Sequence, residues 1–479
     1  MKIHETIVDA LKNVVGAEYV STAQADLYIY SQDLTEHEPS QPDLVVMPNS
    51  VEEVEDVLRL ANKEKIPVTP YTAGLNVGGL TIPLKGGMVM DLRRMNRLIE
   101  FNEQDRYIIV EPGFTFGDFR RFLDKECPHL WYSFPLCPAS TSIMSNALLI
   151  GFGYEMNALG TNYDNTNGME VVLPTGERVK IGSCSVSPYW FNRGPLPDLA
   201  GLFAGWQGAT GVVTKIALQL WPRRPHMQQK LLITTGIRPT CRFIRKLGQT
   251  RACEEIWAVP YDMTQANPDV PIRMFLSDER TSGTYDRPAG PEMFAIMLVI
   301  EADTEAEMKA RAALLEEIMN ETLKDALLTE MPAEPFDLSN FPSKGMAARL
   351  GGLTWIGTMG PTSQWPEALE KIFPVFDKYR LLRIVSIGPF RGAHYGMLRS
   401  IVSYNKNDPE EAERVKNCMR EVLLLALDTG FIPYKAPYWA VKEMMRRGDP
   451  GWVELLKRVK RMLDPNNIMN PGRYGDIGG

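Results

Sequence analysis

Residues 72 to 79, Thr-Ala-Gly-Leu-Asn-Val-Gly-Gly, turn the chain sharply after the apolar run from Ile66 to Pro70, and more strand follows rather than a helix. Gly74, Gly78 and Gly79, together with Asn76, allow positive φ, so successive backbone N–H groups can converge on a phosphate or pyrophosphate. Rossmann and P-loop sites both run directly into a helix whose N-terminus completes the anion site. Here Pro83 and Gly86-Gly87 break the chain, and Met88-Val-Met-Asp-Leu92 reads as another strand. The spacing is neither G-x-G-x-x-G nor G-x-x-x-x-G-K-[ST]. The residues alone leave two readings open, an ordinary glycine turn and a nucleotide-phosphate site.

Around the turn the chain reads as mixed α/β. Leu44-Val-Val-Met-Pro48 is a strand, Ser50-Val-Glu-Glu53 a capping box, and Val51, Val54, Val57, Leu58 and Ala61 the apolar stripe of a helix, so that Ile66 to Pro70 completes a β-α-β unit. Tyr107-Ile-Ile-Val-Glu111 is a strand, and the helix after Thr115 carries Phe119, Phe122 and Leu123 on one side. From Gly168 to Leu220 the pattern is more purely β, and Trp221-Pro-Arg-Arg-Pro225 marks a domain boundary. Beyond it, strand runs (231–234, 294–300, 396–404) are each followed by a helical segment, with the helices 305–320 and 409–428 well supported by apolar spacing. This predicts an α+β domain with helices over one face of an antiparallel sheet. A helix from Trp452 to Leu463 and the turn-rich Asp464-Pro-Asn-Asn-Ile-Met-Asn-Pro-Gly-Arg473 end the chain.

At 479 residues the chain is long enough for two or three domains of roughly 100–200 residues. A net charge of −7 argues against a nucleic-acid partner, because phosphate affinity is built from surplus Lys and Arg. No run reaches bilayer-spanning length and the charged N-terminus is unlike a signal peptide, so the expected location is cytoplasmic, with no membrane span. The six cysteines are scattered without a C-x-x-C pair, and His4, His37, His129 and His226 have no partners at ligand spacing, so no metal site is expected. Any iron–sulfur centre serving this chain belongs to another one.

In combination these segments resemble the vanillyl-alcohol oxidase and p-cresol methylhydroxylase superfamily of FAD-dependent oxidoreductases. The resemblance is carried by Pro48 to Gly79, by Pro138-Ala-Ser-Thr-Ser-Ile-Met-Ser-Asn146 to Tyr154, by Phe203 to Pro222, and by Asp464-Pro-Asn-Asn-Ile-Met-Asn-Pro-Gly472. It implies an α+β fold: an FAD-binding domain of two α/β subdomains (1–224), an α+β cap domain (225–430), and a C-terminal segment (431–479) returning to the FAD-binding domain. It implies FAD held by Thr72, Ala73, Gly74, Leu75, Asn76, Val77 and Gly78 at the pyrophosphate. Pro138, Ala139, Ser140, Ser145, Asn146, Leu149 and Tyr154 form the second flavin loop, Val212 and Val213 lie beside the adenine end, and Asn470 and Arg473 come from the tail.

The motifs mix two branches. Tyr163-Asp-Asn165, Gly168-Met-Glu-Val-Val-Leu173 and Thr175-Gly176 are similar to the glycolate and D-lactate dehydrogenases. Asn405-Lys-Asn-Asp408 and Tyr434-Lys435 look like the phenol-oxidising branch, where the pair is Tyr-Arg; lysine keeps the charge and loses the planar two-pronged donor. Leu149 stands where that branch has an acidic residue, and Met397-Leu398 where it attaches the flavin, so the FAD is expected to be non-covalent. The candidate catalytic residues are Tyr434, Lys435, Arg391 and His394, cationic and titratable groups suited to a carboxylate or phenolate. The expected activity is a dehydrogenase moving a hydride from a hydroxy acid or an aromatic alcohol to flavin N5. Its electrons pass to an iron–sulfur or other electron-transfer subunit, and the assembly is an oligomer. An electron-transfer subunit with chemistry elsewhere, and a 4-alkylphenol oxidase using oxygen, stay open as alternatives.

Overall fold

The computed structural model describes residues 3–261, 284, 290–331 and 351–476. Its first sheet has the strand order Val20–Ser21, Leu44–Val46, Met88–Asp91, Val68–Tyr71. The β-α-β unit forms as its pattern predicts, but Met88–Asp91 slots between its two strands, parallel to both. The intervening helix Val51–Glu64 begins where Ser50 Oγ accepts the Glu53 N–H, and the Glu53 carboxylate reaches back to the N–H of Asn49. Its stripe Val51, Val54, Val57, Leu58 and Ala61 is buried against the sheet.

A second, antiparallel sheet runs Leu98–Asn102, Tyr107–Val110, Val212–Gln219, Thr166–Val172, Arg178–Gly182. Helix Phe116–Glu126, closed by a reciprocal Thr115/Asp118 capping box, buries Phe116, Phe119 and Leu123 in this unit's core. Phe122, expected on the same side, sits at the margin and meets Phe101 edge-on. Trp221–Pro222 pairs with Leu130–Trp131, so the two prolines close a short ladder at the point where the chain leaves this unit.

The third sheet has eight strands, in the order Ala326–Met331, His226–Thr235, Met293–Ala302, Glu255–Tyr261, Ile384–Phe390, Tyr395–Asn405, Gly351–Gly360, Ile432–Pro433. Helices Ile237–Gly248, Glu305–Thr322, Trp365–Lys378 and Pro409–Asp428 cover one face, giving the α+β cap that the pattern predicts. Strand period decides what faces where. In Tyr395–Asn405, Leu398 and Val402 enter the helix-side core, while Met397 and Ile401 join a separate cluster on the opposite face, with Trp257, Trp355 and Phe152. That opposite face meets the first two units.

The tail returns to the first sheet. Met469 bridges Val68 in parallel, with Val68 N–H donating to the Ile468 carbonyl (2.7 Å) and Asn470 N–H to that of Val68 (2.8 Å). No helix among the described residues is long and apolar enough to cross a membrane.

Candidate active site

The glycine turn forms one wall of a cleft of about 1050 Å³ that runs between the first two units toward the cap. Thr72, Ala73, Gly74, Leu75 and Asn76 line it from the turn, Ser145, Asn146 and Leu149 from the second loop, Val212 and Val213 from the second sheet, and Lys435 closes the cap side. Thr72 Oγ1 and Ser145 Oγ are 2.9 Å apart, which ties the two loops together. Asn76 folds the turn on itself, its Oδ1 accepting the N–H groups of Gly78 and Leu80.

The residues fit FAD. Among the described residues the backbone N–H groups of Ala73, Gly74, Leu75 and Asn76 have no acceptor within the protein, as a pyrophosphate nest requires. Gly74 has φ 65°, and a Cβ there would fall 2.1 Å from the Tyr71 hydroxyl. At Gly78 a Cβ would lie 2.9 Å from the Lys435 carbonyl, so the glycine lets the turn sit directly on the Lys435 segment. Beneath the cleft, Asn470 Nδ2 donates to the Gln207 carbonyl (2.7 Å) and Gln207 Nε2 to that of Ala436 (2.9 Å). Arg473 is buried with its Nη2 on the Gly79 carbonyl (2.7 Å), so both tail residues brace the cleft.

Other expected cofactor residues stand elsewhere. Pro138, Ala139 and Ser140 form the turn that delivers Thr141 and Ser142 to the wall, with Ser140 itself exposed. Val77 and Gly78 stand behind the lining, where the Val77 carbonyl accepts the Trp355 N–H (3.4 Å). Tyr154 is displaced from the cleft to the polar cluster of the cap.

At the cap end, Tyr434 and Lys435 come together with residues that their sequence context does not mark. Tyr434 packs against Phe152 (ring centres 5.7 Å apart), and Lys435 Nζ stands 5.7 Å from the Tyr434 ring centre and 5.8 Å from that of Trp355. Burial pulls the Lys435 amine down to about 8 and pushes the Tyr434 phenol up, so the phenol stays protonated. Arg399, 9% exposed, points from the strand Tyr395–Asn405 into the same space, its Nε donating to Ser386 Oγ (3.2 Å). Its guanidinium carbon lies 5.7, 5.8 and 5.5 Å from the ring centres of Phe152, Trp257 and Trp355, beside Tyr434 and Tyr154. Glu255 accepts the Met156 N–H (3.0 Å), and burial raises its carboxyl to about 8.

Arg391 and His394 do not join this cluster. Both lie on the turn between Ile384–Phe390 and Tyr395–Asn405, where Arg391 (φ 49°) and Ala393 (φ 58°) adopt left-handed backbone that turns the side chains outward. Arg391 is exposed and paired with Asp164 (3.3 Å), and His394 is exposed. The signal for Arg399 was a lone cation in an otherwise apolar strand, on the face shared by Met397 and Ile401.

Comparison with known proteins agrees with this geometry. A sequence family described as FAD binding domain matches residues 42–182, and one described as FAD linked oxidases, C-terminal domain, matches residues 239–474. The glycolate oxidase subunit GlcD of Bacillus subtilis is 25% identical over 497 residues, 98% of this chain and 97% of its own. The flavoprotein subunit of 4-cresol dehydrogenase [hydroxylating] from Pseudomonas putida is 25% identical over 507 residues, covering 98% and 95%. A crystal structure of p-cresol methylhydroxylase with substrate bound superposes with a TM-score of 0.83 at 20% identity, covering 98% of this chain and 96% of that one. Fold and cleft thus define an FAD-linked oxidoreductase. The chain belongs to the p-cresol methylhydroxylase-type superfamily of FAD-linked oxidases, among relatives that include glycolate, D-lactate and cresol dehydrogenases.

Proposed function

We propose that this flavoenzyme is a dehydrogenase taking a hydride from the CH–OH or activated C–H carbon of a small hydroxy acid or aromatic alcohol, and that its electrons leave to a protein partner. The observation that carries the reading is Lys435, which lines the FAD cleft and at the same time faces Tyr434 and the aromatic face of the cap. Bound FAD supplies the hydride acceptor. Lys435, with its amine pulled down to about 8, takes the hydroxyl proton as a general base working near neutral pH. Tyr434, protonated and backed by Gly357, donates a hydrogen bond that orients the substrate oxygen. Phe152, Trp257 and Trp355 wall off water. Met397 and Leu398 offer no atom that could bond the flavin, which supports non-covalent FAD. The cresol-dehydrogenating relative is a flavoprotein subunit, which supports a partner chain as acceptor.

The test is anaerobic mixing of the FAD-loaded protein with a panel of aliphatic and aromatic 2-hydroxy acids, phenolic alcohols and 4-alkylphenols while the flavin absorbance is followed. At least one compound is expected to bleach the flavin with no other protein present. A flavin that stays oxidised with the whole panel overturns the reading and favours an electron-transfer subunit.

A further inference from the structure

The cap end of the site carries more positive charge than its own acids balance. Among the described residues neither Arg399 nor Lys435 forms an ion pair, although both stand within 6 Å of the Trp355 ring centre. Glu255, an acid that interacts with Arg399, is held in its neutral form at pH 7 by burial. Tyr154 and Tyr434, which also face the guanidinium, are kept protonated by burial. A lysine in this position can shed its charge; a guanidinium cannot. A buried cation without an anion is expensive, so the site is complete only when an anion arrives from outside.

The kind of anion follows from the donor and the walls. Arg399 offers a planar fork that two carboxylate oxygens match and a single phenolate oxygen does not. Its Nε is already committed to Ser386, which fixes the plane of the fork. Phe152, Trp257 and Trp355 surround it with flat faces, which a short aliphatic acid would leave largely uncovered. We propose that Arg399 anchors the carboxylate of the substrate and that the substrate is an aromatic acid, its ring held among Phe152, Trp257 and Trp355. Arg399 is then the residue that determines specificity in the reaction proposed above, and the catalytic part of this inference rests on that reading; the binding part does not.

Binding to the FAD-loaded wild-type protein is measured by titration calorimetry with benzoate, phenylacetate, benzamide, acetate and 4-methylphenol. Benzoate or phenylacetate is expected to bind roughly 30-fold tighter than benzamide, the value of a hydrogen-bonded charge, and tighter than acetate or 4-methylphenol. Arg399→Met is expected to abolish the preference for acid over amide, and Arg399→Lys to restore part of it. Equal binding of benzoate and benzamide overturns the proposal, as does acetate or 4-methylphenol binding best. A preference that survives Arg399→Met in a protein with normal FAD content also overturns it. The wild-type comparison decides even if the variants do not fold. Should aromatic acids bind selectively yet fail to bleach the flavin, hydride transfer is lost and the anchor stands; bleaching by a compound without a carboxylate, with no acid preference, gives the reverse.

Discussion

Lys435 Nζ and the Arg399 guanidinium share one indole, 5.8 and 5.5 Å from the ring centre of Trp355. The arrangement sets the cost of keeping Lys435 charged. Burial is the first cause of its lowered pKa, and repulsion by Arg399 adds to it. A base whose folded pKa is about 8, against an ordinary 10.5, opposes folding fully below pH 8, and the opposition fades as the pH rises toward 10.5. Lys435→Met should therefore stabilise the flavin-free protein at pH 7 by at most roughly 3 kcal/mol, since water in the cleft screens part of the effect. The gain should shrink at pH 10.5, while turnover is lost at every pH. Thermal denaturation of both proteins at the two pH values checks this, and a lower Tm for the variant at pH 7 would contradict it.

Gly357 is the backstop of Tyr434. A Cβ on Gly357 would lie 2.5 Å from the Tyr434 ring and 2.6 Å from its hydroxyl, while the Gly357 carbonyl accepts the Tyr434 N–H at 3.2 Å. Only space is at stake, because the backbone here is extended strand. Gly357→Ala should push the phenol out of register by about 1 Å and lower kcat/KM on the order of 100-fold, with FAD content unchanged. Steady-state kinetics beside the flavin-to-protein absorbance ratio separates this outcome from general misfolding.

What could be read from the chain alone was whatever has a local cause. Positive φ at Gly74 and Gly79 demands glycine, and the buried stripe of Val51–Glu64 has helical spacing, so both were visible in the residues. The β-α-β unit was legible too, but the insertion of Met88–Asp91 between its strands was not, because sheet order depends on contacts distant in sequence. Arg399 was missed for a related reason. Its strand alternates, and which face opens on the site is decided by the helices that cover Leu398 and Val402. Arg391 and His394 looked better because they are close neighbours in sequence, yet left-handed backbone at Arg391 and Ala393 places them on an exposed turn.

Gly74 tests the cofactor cradle. Alanine at φ 65° costs about 1–2 kcal/mol in backbone strain, and its Cβ would meet the Tyr71 hydroxyl at 2.1 Å. Tyr71 has little freedom to retreat, since its ring packs edge-on against Tyr30 with centres 4.8 Å apart. Gly74→Ala should weaken FAD binding by roughly tenfold or more, as both the turn and its N–H groups shift. Fluorescence titration of the flavin-free protein with FAD reads this directly, and wild-type affinity would show that the turn is no part of the cradle.

Lys460 and Asp464 form the deepest ion pair among the described residues, 1% and 0% exposed, with Nζ 2.5 Å from Oδ2. The same Nζ donates to the carbonyls of Ala209 (2.7 Å) and Met469 (2.8 Å), and the Asp464 carboxylate accepts the N–H groups of Ile468 (3.0 Å) and Met469 (2.8 Å). The pair thus folds the tail turn that brings Asn470 to Gln207, and Gln207 in turn holds the Ala436 carbonyl beside Lys435. Asp464→Asn keeps the shape but leaves a buried ammonium without its anion, which should destabilise the protein by about 3–5 kcal/mol. Removing both charges in Lys460→Met/Asp464→Asn should cost less than the sum of the single changes, because no charge is then stranded. A denaturant series on the two single variants and the double variant measures that coupling. Additive losses would mean that the two side chains act as separate hydrogen-bonding groups and that the tail is held by its backbone ladder to Val68 alone.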